Sequence, residues 1–158
     1  MARDYRKLKV FALADELVAD VYVATRRFPP EERIGLQAQV RQAAVAVPCS
    51  IVIGCERASE SEYLHFGGVA LSRASEARYL LGVANRLGYL ADDEFRQIEE
   101  RYGRLAGGLY KLITAARDGG RPGNGDDKPR EDVDQGARDP RRERRSWDRG
   151  DRAPRRRD

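Results

Sequence analysis

From Leu8 to about Arg117 the apolar residues recur at alternating steps of three and four, the pattern of helices with one buried face. The first segment is predicted over Leu8–Phe28. Its seam is Phe11, Ala14, Val18, Val21, Thr25 and Phe28, widened by Val10, Leu17 and Tyr22. Pro29 stops it, because the residue before a proline is driven out of helical geometry. Pro30-Glu31-Glu32 then reads as a second helix start, with proline early and acids in the first turn. This segment is predicted to reach about Ala58, with Leu36, Val40, Ala43, Val47, Ile51 and Cys55 as its stripe. Pro48 removes a backbone hydrogen bond and crowds the preceding turn, so a kink is expected there. Val45, Pro48, Val52 and Ile53 add apolar surface on other sides. A helix this apolar around its circumference is buried on more than one side. One side suffices within a four-helix monomer, so these four residues are the candidate oligomer interface.

The third segment opens at Ser59-Glu60-Ser61-Glu62, the spacing of a capping box with Ser59 as N-cap. Tyr63, Phe66, Ala70, Ala74, Ala77, Leu81 and Ala84 form its seam, and Gly88 stands where a C-cap glycine is expected. The fourth segment starts at Ala91 or Asp92 and ends near Arg117. Its seam is Phe95, Ile98, Tyr102, Leu105, Leu109, Leu112 and Ala116. It also holds Gly103, Gly107 and Gly108, each costing roughly 0.5–1 kcal/mol against alanine, which close approach of a neighbouring helix can offset. Asp92/Arg96 and Glu100/Arg104 have the i,i+4 spacing of surface charge pairs. Four such segments with short links predict an all-α, antiparallel up-down four-helix bundle.

Composition divides the chain. Residues 1–118 hold 60 of the 64 hydrophobic residues, so a core can form there. Residues 119–158 hold only Val133, Ala137, Trp147 and Ala153 and are expected to be a disordered charged tail. The two domains are therefore 1–118, the bundle, and 119–158, the tail. The bundle has 17 basic and 16 acidic residues, so it is not a uniformly basic nucleic-acid-binding body. The tail is polarised: residues 138–158 carry ten arginines and five acids. No stretch reads as the uncharged apolar run of about 18 residues needed to span a membrane. Asp15, Glu16 and Asp20 interrupt any signal-peptide core. A cytoplasmic protein without a membrane partner is expected.

Enzyme chemistry lacks residues. His65 is the single histidine, with no nucleophile at a recognisable spacing. Glu62-Tyr63-Leu64-His65 matches one half of a di-iron motif, and one histidine cannot complete the set within a chain. Cys49 and Cys55 lie about 9 Å apart along a helix axis and on different faces, which argues against a local disulfide. No Cys/His cluster offers zinc ligands. Gly103-Leu105-Gly107 sits inside a helical heptad and is no phosphate loop. No catalytic residue, metal site or cofactor is expected.

The second to fourth segments carry a recognisable order of residues. These are Phe28-Pro29-Pro30-Glu31-Glu32, Gly35-Leu36 and Gln39-Val40-Arg41-Gln42-Ala43-Ala44-Val45-Ala46-Val47-Pro48. Ile51, Gly54, Arg57, Glu62, Glu76 and Leu87-Gly88-Tyr89-Leu90 follow. In this order the chain, over about residues 5–117, resembles the bacterial four-helix-bundle proteins encoded in intervening sequences of 23S rRNA genes. The accessory variability proteins of diversity-generating retroelements share that fold. The chain departs from the pattern at Gln42, where a second arginine is usual, and at Ala46, where serine is common. It departs again at Ser50-Ile51-Val52-Ile53-Gly54, where Asn-Ile-Ala-Glu-Gly is usual. Apolar, glycine and proline positions survive while polar ones are lost, which is the pattern of a retained scaffold. The resemblance implies a homopentamer, and for retroelement members binding to nucleic acid and a reverse transcriptase.

Up-down topology gathers Arg3, Arg6, Lys7, Lys9, Arg57, Lys111 and Arg117 at one end of the bundle, against Asp4, Glu56, Glu60, Glu62 and Asp118. The tail, with Arg141, Arg142, Arg144, Arg145, Arg155, Arg156 and Arg157, continues from that end. An oligomer would repeat these charges, and phosphate backbones respond to summed charge. The candidate nucleic-acid-binding residues are Arg3, Arg6, Lys7, Lys9, Lys111, Arg117 and the seven tail arginines. The leading expectation is a non-enzymatic oligomeric scaffold that binds RNA or DNA weakly and without sequence preference. The alternative is a protein-interaction adaptor, for example an accessory to a retroelement reverse transcriptase.

Overall fold

The computed structural model describes residues 3–119. A 3-10 turn, Tyr5–Lys7, precedes four α-helices: α1 (Lys9–Ala24), α2 (Leu36–Cys55), α3 (Glu60–Arg86) and α4 (Asp92–Gly119). Each helix packs on its sequence neighbours, and α1 closes the ring against α4. This is the expected all-α up-down bundle.

The helix ends follow local chemistry. Asp4 caps the first turn by accepting from Arg6 N at 3.1 Å. α1 is shorter than its seam suggested. Thr25–Arg27 tighten into a 3-10 turn, and Phe28 is extended (φ −63°, ψ 147°), as Pro29 requires. The second segment does not start as an α-helix at Pro30. Pro30–Arg33 form a 3-10 turn, and α2 starts only after Gly35. There Glu32 acts as the cap, its Oε2 accepting from Leu36 N at 2.8 Å. α2 ends at Cys55 rather than Ala58, and Pro48 lies within it without ending it. α3 begins as predicted: Glu62 N donates to Ser59 Oγ at 3.1 Å, and that hydroxyl donates to Glu62 Oε2 at 2.8 Å. It ends in a Schellman motif. Gly88 takes φ +76°, Gly88 N donates to Asn85 O at 2.9 Å, and Tyr89 N donates to Ala84 O at 2.9 Å.

The core lies between the four seams, with Leu17, Val21, Val40, Val47, Leu81, Tyr102, Leu105 and Leu109 fully enclosed. On α1 the buried line is Ala14, Leu17, Val21 and Ala24, continued by Thr25 and Phe28. Phe11 and Val18, placed in the seam by spacing, are only half-buried. They turn toward α2 instead. Small residues set the close approaches. A β-carbon on Gly54 would lie 3.0 Å from Phe66 Cβ, and one on Gly67 3.0 Å from Ile113 Cγ1. These bring α2 onto α3 and α3 onto α4.

Charge pairing runs between helices more than along them. Arg101 of α4 pairs with both Glu16, at 2.6 Å, and Asp20 of α1. Arg78 of α3 reaches Glu99 of α4 at 2.9 Å. The expected pair Asp92/Arg96 does not form through side chains. Arg96 Nε donates to the Asp92 carbonyl at 3.2 Å, while the Asp92 carboxylate accepts from Asn85. The segment Pro30–Cys55 is more apolar than the sequence reading allowed. Its most apolar 18-residue window has mean hydropathy 1.3, long and apolar enough by composition to cross a membrane, and half of it is buried inside the bundle.

Candidate functional site

Two sequence-distant motifs meet at the α1–α2 end. The Tyr89 ring packs on Phe28 with centroids 5.6 Å apart, and its hydroxyl donates to Glu32 Oε1 at 3.3 Å. Glu32 thus joins the α3–α4 loop to the start of α2. Burial and the neighbouring carboxylates Glu32 and Glu31 push the Tyr89 phenol pKa up. These are the residues that carried the family resemblance, and here they do structural work.

At the opposite end the predicted cations divide. Arg3 is engaged: its backbone N donates to Cys55 O at 2.9 Å, and its guanidinium stacks 4.0 Å from the Tyr63 ring centroid. Burial raises the pKa of the Cys55 thiol beneath it. Arg6 lies over Tyr5 at 4.9 Å and 4.0 Å from Asp4. Arg57 lies over Phe66 at 5.2 Å. Lys7, Lys9, Lys111 and Arg117 are exposed and enter no ion pair among the described residues. Arg141, Arg142, Arg144, Arg145, Arg155, Arg156 and Arg157 lie outside the described residues, as does the tail beyond Gly119.

All four residues proposed from sequence as an oligomer interface line one groove between α1 and α2, of about 440 Å³. Val45, Pro48, Val52 and Ile53 supply the α2 wall, and Phe11 and Val18 the α1 wall. Among the described residues, Asp15 is its single charged lining residue. Pro48 is already buried within the monomer. Ile53 is 39% exposed, and Val45 and Val52 are half-buried. The departure from the family pattern at Ile53 therefore adds apolar surface to this groove.

A second pocket, of about 560 Å³, continues along the same face and shares Val45. Tyr22, Arg33, Gln37, Arg41 and Gln42 line it. Arg41 Nε donates to Thr25 Oγ1 at 2.8 Å, and its guanidinium lies 4.6 Å from the Tyr22 centroid. Thr25 donates in turn to Val21 O at 2.8 Å, and its carbonyl accepts from Gln37 Nε2. Spacing alone does not reveal this pocket, because Thr25 falls on the α1 seam like an apolar residue. A threonine and a glutamine at core positions were the available signal, since buried polar groups need partners.

Among the described residues, no three of His, Cys, Asp and Glu gather where a metal could sit. His65 is exposed and stands edge-on to Phe66 at 5.3 Å, with the Glu62 carboxylate engaged by Ser59. Cys49 is exposed and Cys55 buried, both as free thiols.

Comparison with known proteins agrees with this architecture. A solved structure from Bacteroides thetaiotaomicron, described as a protein with unknown function from the S23 ribosomal protein family, superposes with a TM-score of 0.61 at 16% identity. The match covers 66% of this chain and 95% of that one, and at this identity it speaks to the fold alone. No curated protein matches the chain. The family model for the 23S rRNA-intervening sequence protein matches residues 6–111. With most of the bundle inside that match, the chain belongs to the 23S rRNA-intervening sequence protein family.

Proposed function

We propose that the chain is a non-enzymatic oligomeric scaffold whose copies associate through the α1–α2 groove and present a basic end to nucleic acid. The groove carries the reading: six apolar residues from two helices line it, with Asp15 the one charge among the described lining residues. Burying such a surface on a second copy removes apolar area from water, worth about 25 cal/mol per Å² before the costs of association. The family resemblance implies five copies.

Nucleic-acid contact follows from repetition. Lys7, Lys9, Lys111 and Arg117 give each copy four exposed cations without intramolecular partners among the described residues. One copy holds a weak patch, and several copies on one assembly act together on a phosphate backbone. The arginine-rich stretch 138–158 adds to that charge. Such contact is electrostatic and weakens steeply with salt.

The test is a salt titration of oligonucleotide binding with the full chain. Replacing Lys7, Lys9, Lys111 and Arg117 together by glutamine should weaken binding and flatten its salt dependence. Replacing the tail arginines from Arg141 to Arg157 should do the same. Salt-independent binding, or none at low salt, would sink the nucleic-acid part of the reading.

A further inference from the structure

The pocket between the end of α1 and the first half of α2 holds two cations, Arg33 and Arg41, that lie away from the basic end. Arg33 and Arg41 share it with Gln37, Gln42 and Tyr22, and among the described residues no carboxylate lines it. Arg41 is held in place. Its Nε donates to Thr25 Oγ1 at 2.8 Å, its Nη2 lies 3.4 Å from Tyr22 O, and its plane covers the Tyr22 ring. Thr25 is fully buried and itself fixed by Val21 and Gln37. The guanidinium is therefore oriented before any ligand arrives, which lowers the ordering cost of binding.

Its charge is not consumed within the chain. Arg27, Arg73, Arg78 and Arg101 each pair with a carboxylate, whereas Arg33 and Arg41 pair with none among the described residues. The acids nearest Arg33 in sequence, Glu31 and Glu32, act on Tyr89 instead. Two guanidinium groups thus reach one open pocket with donors to spare.

We propose that this pocket binds a phosphate-bearing ligand, with Arg41 and Arg33 donating to the phosphate oxygens and Gln42 at the rim. Forked, charge-assisted donors match phosphate geometry, and two of them suit a doubly charged group better than a single carboxylate. A pocket of about 560 Å³ is wide enough for a mononucleotide or for one phosphate of a polynucleotide backbone. The site is separate from the basic end, which lies at the other end of the bundle, and does not depend on that end binding anything.

The full chain should be titrated with inorganic phosphate, with adenosine monophosphate and with a short single-stranded RNA, at low salt. Binding by phosphate or the mononucleotide assigns a small ligand, and binding by RNA alone assigns the backbone. In either case Arg41→Gln and Arg33→Gln should each weaken the bound probe by about tenfold or more. Thr25→Val keeps every charge and removes the oxygen that orients Arg41, so it should weaken binding too. Arg104→Gln, an exposed cation on α4 outside both sites, should leave a small probe's affinity unchanged. Circular dichroism establishes which variants fold, and Arg33→Gln, on an exposed side chain, carries the test if Arg41→Gln or Thr25→Val does not. The proposal is overturned if no probe binds the wild-type chain, or if the folded arginine variants bind as wild type does. Light scattering reports the oligomer separately, so failure of the scaffold reading is distinguishable from failure of this one.

Discussion

A β-carbon on Gly108 of α4 would stand 2.8 Å from Val10 Cγ1 of α1. That distance explains one of the three glycines that interrupt the fourth seam, and only one. Around Gly103 and Gly107 a β-carbon would meet nothing within 4 Å among the described residues. Gly108→Ala should therefore destabilise by about 1–3 kcal/mol, as overpacking does. Gly103→Ala and Gly107→Ala should each stabilise by roughly 0.5–1 kcal/mol through helix propensity. Urea unfolding of the three variants checks this, and equal shifts in one direction would contradict it.

Arg101 ties α4 to α1 through Glu16 and Asp20. Its side chain is 25% exposed, and Glu16 is 66% exposed, so solvent screens the network. Arg101→Ala should cost about 1 kcal/mol, and the loss should shrink in high salt. Arg101→Lys should recover only part, because an ammonium lacks the fork that spans two carboxylates. Thermal melts at low and high salt measure both effects.

Tyr102 is 1% exposed, and its hydroxyl has no hydrogen-bond partner among the described residues. Burial holds its pKa well above the ordinary 10.0. Below pH 10 the phenol is neutral in both folded and unfolded chains, and its contribution is fully present. As pH rises past 10 the unfolded chain ionises first, so folding stability falls. Tyr63 and Tyr89 are shifted the same way and add to the slope. Tyr102→Phe should flatten that alkaline loss. At neutral pH it should raise stability by about 1 kcal/mol, since it deletes an unsatisfied buried group. Denaturant midpoints between pH 8 and 11 (roughly the window that brackets an ordinary tyrosine) decide it.

Ser59→Ala removes both hydroxyl contacts at the start of α3. A loss of about 1 kcal/mol is expected, and Ser59→Asp should restore most of it. Chemical denaturation at neutral pH measures the pair.

Helix order, the Ser59 cap and the Gly88 ending were legible because each rests on local chemistry in adjacent residues. The start of α2 was not. It depends on Glu32 folding back onto Leu36 N across Gly35, and a proline with two acids does not reveal that turn. The α1 seam was misplaced for a related reason. Phe11 and Val18 satisfy heptad spacing as well as the buried residues do, and only the position of α2 decides which line faces the core. That Val45, Pro48, Val52 and Ile53 share one groove follows from excess apolar surface on α2, a one-helix property. The Arg41–Thr25–Gln37 network escaped because it joins two helices through polar groups that no spacing rule connects.

Association through the α1–α2 groove is the central claim, and light scattering of the full chain tests it most directly. The wild-type chain should have several times the 17.8 kDa mass of one copy. Val52→Lys places a charge in the groove wall and should reduce the mass toward one copy while circular dichroism stays helical. A wild-type chain that scatters as a 17.8 kDa monomer would contradict the account.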